Sequence, residues 1–170
     1  MSEKKLEGAG LRGQVAGKTS LSTVGKAGKG LTYRGYPIEI LSEKAKFEEV
    51  AYLLMYGALP NQNEFNEYSN KLISMRALPE SLIEVLERIP AEAHPMDVMR
   101  TGCSMLGNIE PEGDFSNQQE SADRILATMA SVIVYWYKYS HEGVKVNTET
   151  DNPTICLLYT SPSPRDSDQS

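Results

Sequence analysis

The 170-residue chain contains only two cysteines, Cys103 and Cys156. That is too few for a secreted scaffold built on disulfides. Histidine is equally scarce: His94 and His141 stand 47 residues apart, and neither belongs to an H-x-x-x-H pair. With so few thiolates and imidazoles the spacing offers no metal site. There is no basic excess either. Seventeen Lys and Arg face 23 Asp and Glu, a net charge of −6, which argues against a dedicated nucleic-acid binder. The longest run without a charge, glycine or proline, ILATMASVIVYWY from Ile125 to Tyr137, is 13 residues, short of the ~18 needed to cross a bilayer. The opening MSEKKLEGAG lacks the apolar stretch of a secretory signal. The expectation is an acidic, cytoplasmic protein with neither membrane nor nucleic-acid partners.

Two glycine patterns suggest nucleotide binding and fail on context. Gly8-Ala9-Gly10-Leu11-Arg12-Gly13 fits G-x-G-x-x-G, but no strand precedes it and no βαβ unit follows. Gly13 to Thr19 resembles a P-loop with three residues between its glycines where four are required.

The last fifteen residues, CLLYTSPSPRDSDQS, break with the rest of the chain: two Pro and four Ser with no helical or strand period. Cys156 to Asp166 reads, residue by residue, as the translation of a transposon adapter used in sequencing libraries. Residues 156–170 are therefore expected to be a non-native tail. Residues 1–155 are expected to be the N-terminal part of a longer protein.

Within those 155 residues, TSLSTV (19–24) and LTYRGYPI (31–38) flank a Gly-rich loop and read as one β-hairpin over about 19–38. Helices follow over about 39–140. EILSEKA is a short one, and FEEVAYLLMY ends at Gly57. Asn61 and Glu64 form a capping pattern that opens a helix to about Arg76, with Phe65, Tyr68, Leu72 and Met75 as its apolar stripe. Pro79 starts PESLIEVLERI, and His94-Pro95 starts a helix whose expected core stripe is Met96, Met99, Cys103 and Leu106. After the loop NIEPEGDFSNQ comes a long helix over roughly 117–140. Past Ile125 it is apolar almost all round, so it should be enclosed. The other short helices supply too little surface for that, which leaves the remaining cover to the rest of the protein or to a second subunit. The fold class is mainly α with a small N-terminal β-hairpin. No nucleophile–base pair can be assembled from spacing. His94 reads as a helix-start residue, His141 as an imidazole near a helix C-terminus, and Cys103 as a small core residue.

Four strings in order, GLRGQVAGKTSLSTVGKAGKGLTYRGYPI, FEEVAYLLMYGALP, HPMDVMRTG and YWYKYSHEG, resemble the N-terminal part of enzymes of the citrate synthase family. STVGK, YRGY and HPMDVMRTG point to its 2-methylcitrate-forming branch. The resemblance covers Gly10 to Asp151. It implies a helical, two-domain homodimer that condenses propionyl-CoA with oxaloacetate and water, releasing CoA, with no metal or redox cofactor. The alternatives are the acetyl-CoA reaction that gives citrate and, from another class, a non-catalytic helical binding module. In the family an aspartate removes a proton α to the thioester and histidines polarise enol and ketone. Those histidines lie in HGGANE-like and GHPVY-like segments, neither of which occurs here. His94, in HPMD, does not match them, so no catalytic residue is assigned in this chain. Lys71, in EYSNKLISMR, matches a basic position that contributes to the acid-substrate site of relatives. A solvated surface lysine is its other open reading. Arg76 reads as structural, and Arg34 and the Asp97/Arg100 pair as fold-holding ion pairs.

Overall fold

A computed structural model of the chain describes residues 17–23 and 30–149. The Gly8–Gly13 pattern, most of the P-loop-like stretch, most of the Gly-rich loop and the tail 156–170 lie outside the described residues.

The β region differs from a single hairpin. It is a three-stranded antiparallel sheet in the order β1 (Ser22–Thr23), β2 (Thr32–Tyr33), β3 (Tyr36–Pro37). The second β-type run folds back on itself, pairing Thr32 with Pro37 and Tyr33 with Tyr36. Its two-residue turn has both φ values positive, +49° at Arg34 and +93° at Gly35. That is the backbone twist that joins adjacent strands of a tight hairpin. The Thr23 and Thr32 hydroxyls share a 2.6 Å hydrogen bond across the β1–β2 pair.

Among the described residues six α-helices follow: α1 (Ile38–Lys44), α2 (Phe47–Tyr56), α3 (Gln62–Ser74), α4 (Glu80–Glu87), α5 (Pro95–Ile109) and α6 (Gln118–Glu142). A 3₁₀ turn at Phe115–Asn117 leads into α6. The ends sit where local chemistry puts them. Gly57 stops α2 at φ +95°, a left-handed conformation that glycine adopts without steric cost. Asn61 Oδ1 accepts the Asn63 and Glu64 amides, while Glu64 Oε2 accepts the Asn61 amide at 2.8 Å. This reciprocal box satisfies donors that the first turn of α3 would otherwise leave open.

Helix α6 is the axis of the fold, packed by α4 and α5 on one side and α3 on the other. The first core cluster joins Leu78, Leu82, Leu86, Val98, Leu106, Val132, Tyr135 and Trp136. The second joins Ala51, Tyr68, Leu72, Ala127 and Ala130. Each fully buried Leu or Val contributes about 1.5–3 kcal/mol. The enclosure of α6 is incomplete, since Ile125 and Tyr137 keep 39% and 49% of their surface exposed. Among the described residues no helix is long and apolar enough to cross a membrane.

The core face of α5 matches the expected one at Leu106 but not at Met96 or Cys103. Val98, Gly102 and Leu106 are buried, whereas Met96 is 63% exposed and Cys103 is exposed rather than core. The cause is Gly102, where a Cβ would lie 2.8 Å from Val132 Cγ1. The helix turns its hydrogen-only position to α6 because that permits the closest approach of the two backbones. Gly102→Ala in the full-length protein is expected to cost about 1–3 kcal/mol through overpacking. Urea denaturation would measure this, with partial recovery in the Gly102→Ala/Val132→Ala double variant.

Candidate functional site

Lys71 lies in the last turn of α3, three residues after Tyr68, on the side facing α6. Opposite, α6 presents Glu120 and Asp123, also three residues apart and so on one face. The Lys71 ammonium is 2.8 Å from Asp123 Oδ2 and 2.6 Å from Glu120 Oε2. Asp123 is fully buried, and a bare carboxylate there would be very costly. It is saturated instead. Tyr56 donates its hydroxyl to Oδ2 at 2.9 Å, Tyr68 donates to Oδ1 at 3.0 Å, and Lys71 supplies the charge.

The electrostatics hold Tyr56, Tyr68 and Lys71 in their donor forms. Burial, then the adjacent Asp123 charge, pushes the Tyr68 phenol well above its ordinary range. Burial and the Asp123 hydrogen bond raise Tyr56 in the same direction. For Lys71 burial alone would lower the pKa, but its hydrogen bonds to Asp123 and Glu120 outweigh that and raise it. Lys71 is therefore a permanent cation. Among the described residues, two of its three N–H donors are used within the cluster. Tyr52 stacks on Tyr56 at 4.4 Å, and with Tyr68, Glu64, Glu67 and Lys71 these rings line a shallow depression of about 190 Å³. Chemically this is a charge-locked anchor with a single cationic donor at its rim. It is not an acid–base pair.

The remaining residues singled out from sequence are separate from this cluster. Arg76 is fully buried, as is Glu48. Burial lowers the pKa of Arg76, and the charge of Glu48 opposes that effect. Arg34 is not in an ion pair among the described residues. Its guanidinium donates to Ser20 Oγ and to the Leu54 carbonyl, tying the sheet to α2. The Asp97–Arg100 pair forms at 3.0 Å, but its side chains are 58% and 76% exposed. At that exposure it contributes little to holding the fold. His94 caps α5, its Nδ1 accepting the Met96 amide at 3.2 Å. His141 stacks on Tyr137 at the C-terminal end of α6. Among the described residues no three His, Cys, Asp or Glu side chains come together as metal ligands.

Sequence reasoning missed Asp123 and its neighbour Arg124. The available signal was an acid–base doublet immediately before the apolar run 125–137 of α6. Asp123 points to α2 and α3. Arg124 grips Glu110 at the end of α5 through two parallel bonds of 2.8 and 2.9 Å, and also donates to the Met75 and Ala77 carbonyls after α3. The Arg124 hydrogen bonds hold the Glu110 carboxyl below its usual range, against the opposing effect of its partial burial. Both residues border a cleft of about 380 Å³ that also touches Cys103, Glu120 and Ile125. Arg124→Met is expected to cost about 3 kcal/mol, because charged hydrogen bonds are lost and carbonyls are left bare. The Glu110 carboxyl should return toward its ordinary value by NMR titration. Because the folded pKa is depressed, the Glu110 contribution to stability is present above the ordinary carboxylate pKa of about 4.3 and fades as pH falls through the lower folded value. The variant should lose that part of the acid dependence.

Comparison with known proteins places this geometry in a family. The model of the citrate synthase C-terminal domain matches residues 10–161. A 2-methylcitrate synthase from Shewanella oneidensis is 63% identical over 152 residues, covering 89% of this chain and 40% of the relative. Citrate synthase 2 of Bacillus subtilis is 37% identical over 124 residues, 72% of this chain and 33% of the relative. The crystal structure of citrate synthase from Thermotoga maritima superposes with a TM-score of 0.71 at 31% identity, covering 81% of this chain and 36% of that one. The chain thus spans well under half the length of these relatives. By sequence and by fold, it belongs to the citrate synthase family.

Proposed function

We propose that the protein containing this chain is a 2-methylcitrate synthase. It condenses propionyl-CoA with oxaloacetate and water to give 2-methylcitrate and free CoA, and so acts in propionate metabolism. The observation that carries this reading is 63% identity to a 2-methylcitrate synthase over 89% of the chain. The acetyl-CoA reaction is the alternative within the same chemistry. The chain contributes scaffold and one substrate contact: Lys71, held as a cation at the rim of the depression, suits a carboxylate oxygen of oxaloacetate. The catalytic aspartate and histidines are assigned to the remainder of the protein, since the strings that carry the histidines in relatives are absent from the sequence. A homodimer fits the uncovered apolar side chains of α5 and α6, Met96, Ile109, Ile125 and Tyr137.

Steady-state kinetics of the full-length protein test the assignment. The expected result is a higher kcat/KM for propionyl-CoA than for acetyl-CoA, read by appearance of the CoA thiol. The reverse preference would make it a citrate synthase. The 170-residue chain alone should release no CoA from either thioester, and turnover by it would overturn the placement of the catalytic groups elsewhere.

A further inference from the structure

The two carboxylates that hold Lys71 are unequal. Asp123 is fully buried and receives three donors from α2 and α3. The Glu120 side chain is 61% exposed, and among the described residues its ion pair is with Lys71 alone. Glu120 also sits in the first turn of α6. There a free carboxylate keeps the stabilisation of the helix N-terminus and of water when it lets go of a partner. Releasing Asp123 would strand a buried charge, whereas releasing Glu120 costs no more than an exposed ion pair.

We propose that Asp123 is the positioning residue that fixes the Lys71 ammonium, and that Glu120 is a displaceable gate occupying the place an incoming substrate carboxylate takes. This rests on the reading of Lys71 as an oxaloacetate contact. The exchange is an anion for an anion. The oxaloacetate carboxylate accepts the N–H that Glu120 gives up, Glu120 swings into solvent, and Asp123 keeps its bond throughout. The local charge is unchanged by the swap, so the ammonium is never left uncompensated. Removing the gate therefore favours substrate, and removing the anchor disfavours it. A purely structural cluster would not give opposite effects.

The test is the KM for oxaloacetate in the full-length protein at saturating propionyl-CoA. Lys71→Met is expected to raise it. Glu120→Gln is expected to lower it about threefold, the worth of an exposed ion pair. Asp123→Asn is expected to raise it about tenfold or more, since the buried anchor of the cation is lost. If Lys71→Met raises KM while Glu120→Gln leaves it unchanged or raises it, the gate is overturned and the Lys71 contact stands. If Lys71→Met leaves KM unmoved, the Lys71 contact fails and the gate falls with it. Should Asp123→Asn not fold, the exposed Glu120→Gln variant decides the question by itself.

Discussion

The arrangement of helices depends on the need to satisfy one buried carboxylate. Asp123 sits where α2, α3 and α6 meet, and its oxygens accept from two tyrosines and a lysine. Hydrophobic burial draws these helices together without specifying their rotation, because apolar contact is non-directional. The hydrogen bonds supply direction. Tyr56 and Tyr68 can reach Asp123 only with α2 and α3 turned as they are, and the aromatic edge contacts of Tyr52 and Tyr56 with Tyr68 follow from that alignment.

What was legible in the sequence was local. Gly57, Asn61/Glu64, Pro79 and Pro95 mark helix ends because capping and breaking act within a few residues of themselves. The rotation of α5 was not legible. A stripe of apolar residues nominated Met96, Met99 and Cys103, but the decisive residue was Gly102, which matters for what it lacks. Hydrophobic patterning counts side chains that want burial and overlooks positions where backbones must approach. The sheet shows the same limit. An arginine in a left-handed turn carries no propensity signal, and its hydrogen bond to Leu54 across twenty residues stabilises a conformation that Arg34 would not choose by itself.

For the site, Lys71 was reached through resemblance to a family, whereas its partners are separated from it by 49 and 52 residues and could only be found in three dimensions. Sequence left open whether Lys71 is a substrate contact or a solvated surface lysine. The structure adds the two carboxylates that occupy most of that charge, which leaves a cation with limited spare capacity.

Asp123 and Arg124 are consecutive, yet one serves α2 and α3 and the other serves α5 and the segment after α3. Successive residues on a helix diverge by about 100°, so the pair works like two teeth of a key. Inserting or deleting one residue at the start of α6 would turn both away from their locks together, with no half-measure available. Length variation among natural homologues should therefore collect in the loop before the 3₁₀ turn and be excluded from the stretch between it and Arg124.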